Sequence, residues 1–422
     1  MDKQIKDRAL PVIRYLLFLI LFVGMGCVPF WVNSASPEGR NAVSNTRDPL
    51  SWPFAWDSIW NLPLGSGATY TPANISPATA FGMTVDEDII ILEPDAPQVD
   101  IVAHDAGWRD GVTRCGSIVS PQRVLIEGAP IPTGFSTDPG YKGTKPNHSA
   151  AILMADGVTL EQTQPFHRCG EGGFAVSQFH PPSDHIKSGD GIEGAHGGSG
   201  MSSIGGTIRL GELVPGGTIR HALKLNLYAA NNLYYDGSDS TPGYRWPAVR
   251  ADGYAGSSSS GCAYGGTTPA LEMGALLALT PDFNIAQLKT EPARIVGRAL
   301  QTYGGYVVDD TCWDVYALTT EWGPDGRVLT EFEEAFGYPM HTSVQGDCTT
   351  DTDECRWAND MRLIFTSLHV VDNNRPDSVG GPGSRLTSCA PPFADGTEGY
   401  PIGSVCDQSV ESSSIFLPFF RR

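Results

Sequence analysis

The sequence predicts a mainly β protein, a β-sandwich or jelly roll with two or three added helices. Its 422 residues include 49 glycines and 32 prolines, a content typical of short strands joined by many turns. Several short segments alternate apolar and polar residues, as strands with one buried face do. No helical pattern alternates regularly with these segments, so a parallel-sheet enzyme core is disfavoured.

The clearest predicted strand covers residues 218–228, in which leucines alternate with Lys224, Asn226 and Tyr228. The turn residues Pro215 and Gly216 precede it, so a hairpin with a strand at 207–210 is expected. Further strands are predicted at residues 150–154, 274–279, 305–308 and 314–319.

Helices are predicted in the second half of the chain. Thr290 is a suitable N-cap, Pro292 fits a first turn, apolar residues follow at helical spacing, and Gly304 ends the run. Thr330 and Glu333 have the spacing of a capping box. Residues 357–368 have a mixed pattern that predicts a helix passing into a strand. Helices added after a run of strands fit a decorated β-sandwich.

The N-terminus has the order of a secretory signal. Basic residues precede an apolar stretch over residues 15–32, and the small residues Ser34, Ala35 and Ser36 follow. The stretch is at the lower limit for spanning a bilayer, so an uncleaved anchor is the alternative. We therefore predict a secreted or cell-surface protein, with a membrane contact only through this segment.

The predicted organisation follows from these features. Residues 1–35 form the signal peptide or anchor, 36–49 a linker, 50–374 the β-sandwich or jelly-roll domain, and 375–422 a loop-rich tail that contains disulfides. Of the nine cysteines, Cys27 lies in the leader, which leaves eight. An even number fits an oxidising compartment. Local pairs are expected between Cys348 and Cys355 and between Cys389 and Cys406.

Charge excludes some partners. The 28 basic and 47 acidic residues give a formal net charge of −19, which opposes binding to nucleic acid or anionic lipid. An extracellular polysaccharide is the expected partner.

The glycine-rich segment 189–228 predicts a functional site, because glycines allow tight bends or close approach of a ligand. A polysaccharide lyase needs a group that neutralises a uronate carboxylate, a base and an acid. We expect the catalytic residues to be His196, His221, Arg209, Glu212 and Tyr228. The expected substrate-binding residues are His148, Glu161, Lys224, Tyr244 and Trp313. A core role for His221, whose face is otherwise leucine, is the structural alternative.

Glycoside hydrolysis is the second enzymatic prediction, slightly behind the lyase. It needs two carboxyl groups across a cleft, and Asp309 and Asp310 lie at a predicted strand end close to Trp313, a residue type that stacks on sugars. A non-catalytic carbohydrate-binding or cell-surface structural protein is the alternative to both enzymes. Such a protein would present an aromatic strip without perturbed titratable groups.

No metal ligand is assigned to the active site, and no cofactor is expected there. Zinc is disfavoured because no helical His-x-x-x-His spacing or Cys-x-x-Cys pair is present. Calcium could bind the acidic loop around the Cys348–Cys355 pair, through oxygen ligands. Its candidate ligands are Asp347, Asp351, Asp353 and Glu354.

Several blocks between Pro146 and Trp313, among them SGDGIEGAHGGSGMSSIGGTIRLGEL and ALQTYGGYVVDD, resemble a group of mostly uncharacterised secreted bacterial β-rich proteins. The resemblance implies export and a sheet-rich fold. In that group the first block usually reads Asp-Arg-His, where this chain has Pro146-Asn147-His148. Gln178-Phe179-His180 is also similar to the Gln-x-His strand of jelly-roll alginate lyases, although the other signatures of that family are absent and Pro181 follows at once.

Overall fold

The structure is a computed structural model that describes residues 46–79, 82–109, 112–137, 147–237, 242–257, 260–342, 348–401 and 403–406. These residues belong to one unit, Ser44–Arg422. The predicted leader and most of the predicted linker lie outside the described residues. In the described ranges, no helix is long and apolar enough to cross a membrane.

The described residues form fifteen strands and four α-helices. The strands are β1 (Tyr70–Pro72), β2 (Met83–Ile91), β3 (Gln98–Ala103), β4 (Val124–Pro130), β5 (Ala150–Leu153), β6 (Thr159–Thr163), β7 (His167–Arg168), β8 (Ala175–Ser177), β9 (Asp184–His185), β10 (Leu223–Tyr228), β11 (Leu276–Ala278), β12 (Gly305–Thr311), β13 (Tyr316–Gly323), β14 (Gly326–Arg327) and β15 (His369–Val371). The helices are α1 (Ala229–Asn232), α2 (Glu291–Thr302), α3 (Val328–Phe336) and α4 (Asp353–Thr366). The prediction of a mainly β fold with a few added helices is confirmed.

The strands build two sheets. The large sheet has eleven strands in the order β1-β15-β11-β12-β10-β13-β2-β5-β6-β9, with β14 paired to β13. The small sheet has the order β4-β3-β8-β7. The large sheet is mixed, because β12 pairs with β10, β13 with β2, and β2 with β5 in parallel. These parallel pairs do not follow from the alternation pattern of the sequence, which is similar in both kinds of sheet.

The two sheets pack on each other as the two layers of a sandwich. Ile89 and Ile91 of β2 point to one side of the large sheet and join Ile101 and Ile126 of the small sheet in one apolar cluster. Ile90, which lies between them in the sequence, belongs to the other cluster. The alternation of side chains along a strand explains this division.

The helices cover the second apolar cluster. α2 follows Thr290, has Pro292 in its first turn and is followed by Gly304 with a positive φ of 79°, as predicted. α4 covers most of the segment 357–368, and β15 begins at His369, one residue beyond the end of the predicted change from helix to strand. α3 begins at Val328, two residues before the predicted capping box. Phe365 of α4 stacks on Tyr316 of β13 with ring centroids 4.4 Å apart.

The predicted hairpin before β10 is wrong. Residues 207–210 form no strand, and Ile208 alone makes an isolated parallel bridge, to Thr320 of β13. The reason lies in the preceding glycines: a Cβ on Gly205 or Gly206 would come within 2.2 or 2.3 Å of the Trp60 ring. The chain therefore passes Trp60 as an irregular segment.

Four disulfides join the eight described cysteines. The predicted pairs Cys348–Cys355 and Cys389–Cys406 are confirmed. The other two pairs are Cys115–Cys169 and Cys262–Cys312, which connect residues far apart in the sequence. Such bonds are typical of proteins from oxidising compartments.

A polar stripe crosses the large sheet. Asp86 and Asp88 of β2 are on the same side as Lys224 and Asn226 of β10, because Lys224 Nζ donates to Asp88 Oδ2 at 2.8 Å and Asn226 Nδ2 donates to Asp86 Oδ2 at 3.0 Å. Lys224 and Asp88 are buried. Thr207 Oγ1 donates to Asp88 Oδ2 at 2.6 Å, and Ser149 bonds the other oxygen. The Lys224–Asp88 part of the stripe is thus an internal hydrogen-bonded network.

The Lys224–Asp88 pair generates the first prediction. Replacing Lys224 by Met leaves the Asp88 carboxylate buried without its cation, so we expect the free energy of unfolding to fall by about 3–5 kcal/mol. Urea unfolding measures the change. Lys187→Met is the matched control, because Lys187 pairs with Asp395 at the exposed surface and its loss should change stability little. Equal effects of the two substitutions would contradict the account.

Candidate functional site

A cavity of about 1000 Å³ opens at the end of the polar stripe. Parts of β2, β10 and β12 form its floor, and loops around residues 147, 178, 197 and 252 form its walls. Its lining combines carboxylates, amides and aromatic rings. The polar and aromatic members used below are Asp86, Trp108, Asn147, His148, Gln164, Gln178, Phe179, Asn226, Arg250, Asp252, Tyr254, Asp309, Asp310 and Trp313.

A β-bulge directs Asp309 into this cavity. β10 and β12 pair in regular register as far as Leu225 and Val307, and the register then shifts so that Asn226 faces Asp309. Without the extra residue, Val308 would occupy that position and Asp309 would be on the opposite face. The bulge therefore adds a carboxylate to the polar stripe.

Four carboxyl groups converge on the floor. One oxygen each of Asp252, Asp309 and Asp310 lies within 4.8 Å of the others, and Asp86 and His196 form a second such group with Asp309. Burial, together with Asp252, Asp310 and Asp86, raises the pKa of Asp309 well above its usual value. The crowding of these carboxyl groups thus favours the protonated form of Asp309.

Two tyrosines hold Asp252 and Asp310. Tyr264 donates from its hydroxyl to Asp252 Oδ2 at 2.7 Å, and Tyr254 donates to Asp310 Oδ1 at 2.7 Å. Burial raises the pKa of Asp252, although the hydrogen bonds from both tyrosines and the charge of Arg250 act in the opposite direction. Asp252 therefore keeps a proton to higher pH than an ordinary aspartate does.

His196 is buried behind the floor. Its Nε2 lies 3.5 Å from Asp86 Oδ2 and 3.7 Å from Asp88 Oδ1. Burial lowers the pKa of His196, Lys224 lowers it further, and Asp88 and Asp86 oppose the change. The neutral imidazole is therefore favoured over a wider pH range than in an exposed histidine.

Aromatic residues flank the opening. The side chains of Trp108 and Trp313 are 43% and 48% exposed, which is unusual for residues of this size. Arg250 lies over the Phe179 ring, with its guanidinium carbon 4.7 Å from the ring centre. His148 donates from Nδ1 to the Glu87 carbonyl oxygen at 2.8 Å and packs edge-on against Trp322.

The structure separates the predicted catalytic residues into two places. His196 lies beneath the large cavity, whereas Arg209 pairs with Glu321 through Nε and Nη2 at 2.8 and 3.2 Å. His221 Nε2 is 3.0 Å from Glu212 Oε2. Arg209 and His221 line a second, very small cavity with Trp52 and Trp60. Arg209 and His221 thus share the small cavity, whereas His196 lies apart from them at the large one.

The predicted substrate-binding residues are also divided. His148 and Trp313 line the large cavity. Lys224 is buried in its pair with Asp88, and Glu161 is bound by His180 at 2.6 Å and by Ser183 at 2.8 Å. Tyr244 bridges to Met273, and Tyr228, which was predicted as a catalytic residue, ends β10; neither belongs to the lining of the large cavity.

The acidic loop predicted for calcium is partly neutralised. Arg356 donates to Asp351 and to Asp353, each at 2.5 Å. Glu354 lies in the first turn of α4, and Asp347 lies outside the described residues. In the described part of the chain, the groups spaced for one metal ion are those on the cavity floor.

Sequence reasoning found Asp309, Asp310 and Trp313 but missed Asp86, Asp252 and Tyr254. The signal for Asp86 was present, because β2 reads MTVDEDIII and places two aspartates on one face of a strand that is otherwise largely buried. Buried carboxylates are rare unless they are paired or functional. Asp252 follows an irregular loop, for which the sequence carries no comparable signal.

Fold and site together define a disulfide-bonded, mainly β protein with an acidic, aromatic-flanked cleft. Comparison of the chain with models of protein families, with characterised proteins and with solved structures gives no match. The function must therefore be argued from the cleft.

The His221–Glu212 pair generates a prediction on stability. Burial acts to lower the pKa of His221, but Glu212 outweighs it and the pKa is raised above 6.5. The charged imidazole therefore stabilises the fold below its unfolded-state pKa, and this contribution is lost as the pH rises through the folded-state value. We expect His221→Gln to lower the melting temperature more at about pH 5 than at about pH 9.

Thermal unfolding at both pH values tests this. His341→Gln is the control, since His341 is exposed and its loss should have the same small effect at both. An effect of His221→Gln that does not change with pH would contradict the pairing with Glu212.

Proposed function

We propose that this protein is a secreted glycoside hydrolase that cleaves an extracellular polysaccharide of low charge. The observation that carries the proposal is the acidic floor of the cleft beneath two exposed tryptophans. An exported enzyme fits the four disulfides and the predicted signal sequence.

The upper part of the cleft suits a sugar. The flat, apolar rings of Trp108 and Trp313 can stack on the C–H face of a pyranose. The amides of Asn147, Gln164 and Gln178 line the same cavity and can exchange hydrogen bonds with hydroxyl groups. A cavity with a few polar groups and aromatic walls is typical of a small-molecule or oligosaccharide site.

Asp252 and Asp310 are the catalytic pair in this proposal. Their nearest oxygens lie within 4.8 Å, a separation closer to that of retaining glycosidases, about 5–5.5 Å, than to that of inverting ones. Asp252, whose pKa burial raises, donates its proton to the glycosidic oxygen. Asp310 attacks the anomeric carbon as a carboxylate, and water then releases the sugar with Asp252 as the base.

The scarcity of basic side chains in the cleft favours hydrolysis over elimination. A lyase must neutralise a uronate carboxylate, and the predicted neutraliser, Arg209, is bound to Glu321 away from the large cavity. Arg250 is the one arginine or lysine among the described lining residues, against several carboxylates. Such a floor repels a polyuronate and accepts a neutral glycan.

The proposed catalytic pair, Asp252 and Asp310, generates a prediction on activity. Asp252→Asn removes the proton donor and Asp310→Asn removes the nucleophile, so we expect each to reduce kcat by about 10²–10⁴-fold. Release of reducing ends from a panel of neutral polysaccharides measures the rate. Asp325→Asn, at an exposed turn, is the control and should retain full activity.

Two other outcomes of the polysaccharide assay would contradict hydrolysis. Unsaturated products absorbing in the ultraviolet would show elimination and contradict the hydrolase. Binding of a polysaccharide without any cleavage would favour the non-catalytic carbohydrate-binding protein.

A second prediction concerns the aromatic edge. Trp313→Ala should weaken oligosaccharide binding about 2- to 12-fold, because one stacked ring contributes about 0.5–1.5 kcal/mol. Calorimetric titration measures the affinity. Phe174→Ala is matched in exposure, since Phe174 is 42% exposed, but Phe174 is not part of the cleft lining and its removal should leave binding unchanged. An equal loss in both variants would contradict the stacking site.

A further inference from the structure

Asp86, His196 and Asp309 have the spacing of ligands to one metal ion. One donor atom from each lies within 4.8 Å of the other two. His196 Nε2 and Asp86 Oδ2 are 3.5 Å apart, which is longer than a normal hydrogen bond. Two ligands at about 2.0–2.2 Å from a tetrahedral ion are roughly 3.3–3.5 Å apart. The separation therefore fits a shared ion better than a direct bond.

Asn226 gives an independent indication of a bound cation. Its side chain is 3% exposed, and its Nδ2 donates to Asp86 Oδ2, yet its Oδ1 has no hydrogen-bond partner. Asn226 is the register partner of Asp309 on neighbouring parallel strands and lines the cavity. A buried acceptor without a donor normally has an ion or an ordered water as its partner.

The lysine and arginine ion pairs near the floor are made by acidic residues other than Asp86 and Asp309. Asp88 has Lys224 and Glu87 has Arg327 as ion-pair partners. Within the described ranges, no lysine or arginine lies within ion-pair distance of Asp86 or Asp309. Two carboxylates on one floor without a cation are costly, and a divalent ion would compensate both.

The glycine-rich segment is shaped to this floor. A Cβ on Gly197 would lie 2.4 Å from Asp309 Oδ2, and one on Gly198, whose φ is +54°, would lie 2.6 Å from Asp309 Oδ1. These glycines follow His196 directly, so the segment brings the imidazole in while its backbone passes close to the carboxylate. The sequence AHGGSG is therefore explained by a requirement for close approach.

We propose that Asp86, His196 and Asp309, with the side-chain oxygen of Asn226, bind one divalent transition-metal ion, Zn²⁺ or Mn²⁺. The imidazole favours these ions over Ca²⁺ and Mg²⁺, which prefer oxygen ligands alone. Asp88 Oδ1 lies 3.7 Å from His196 Nε2 and adds negative charge beside the ion. The site goes beyond the proposed hydrolase and does not depend on it.

Titration of the full protein with ZnCl₂, MnCl₂ and CaCl₂ after chelation tests the site. We expect one equivalent of Zn²⁺ or Mn²⁺ to bind with a Kd of about 1 µM or tighter, and His196→Gln and Asp309→Asn each to weaken binding by at least about tenfold. Asp325→Asn, at an exposed turn outside the cavity, is the control and should bind as the unaltered protein does. No stoichiometric binding, or binding unaffected by both site variants, overturns the proposal.

X-ray absorption of the zinc-loaded protein decides the case even if a variant fails to fold. One imidazole nitrogen among oxygen ligands supports the site, whereas sulfur ligands or oxygen alone overturn it.

Binding is measured without any sugar, so the two proposals fail separately. A protein that binds zinc but cleaves no glycan contradicts only the hydrolase, and one that cleaves without binding a metal contradicts only this site.

Discussion

The cleft depends on a charge balance inside the large sheet. Asp88 is buried, and it is stable there because Lys224, Thr207 and Ser149 all donate to it. This bonding fixes the middle of β2 against β10. Asp86, two residues earlier on the same face, is then held at the cavity floor rather than in the apolar core. The candidate site thus continues a structural hydrogen-bond network that begins at the buried Lys224–Asp88 ion pair.

Two irregularities complete the floor. The bulge between β10 and β12 turns Asp309 toward the polar stripe, and the segment through Gly197 and Gly198 brings His196 behind it. Both are departures from regular strands, and both place polar groups where an unbroken sheet would place apolar ones. The local rules of sheet formation are broken at the position where the charged groups gather, as is common at functional sites.

The sequence predicted features that depend on local chemistry. The mainly β class, α2, the change from α4 to β15 and two local disulfides were all available from turn residues, capping residues and spacing. The parallel strand pairs were not, because they join segments far apart in the chain. Of the candidate site, His196, Asp309, Asp310 and Trp313 were named from the sequence. Their grouping was missed, since it depends on a bulge and on Asp252 in an irregular loop.

The predicted hairpin, which would place Arg209 and His221 on neighbouring strands, is absent for a related reason. The predicted strand at residues 207–210 follows Gly205 and Gly206, whose backbone passes so close to the Trp60 ring that no Cβ would fit there. A tertiary contact thus overrode a local turn signal. Arg209 and His221 instead form ion pairs that stabilise the fold beside the small cavity.

A crystal structure of the protein with a neutral oligosaccharide tests the central claim most directly, because it locates the sugar and the carboxyl groups together. The account predicts a sugar ring stacked on Trp313 and a glycosidic oxygen within hydrogen-bond distance of the Asp252 carboxyl. A saccharide bound on another surface, or held in the cleft with Asp252 and Asp310 out of reach of any glycosidic bond, would contradict it.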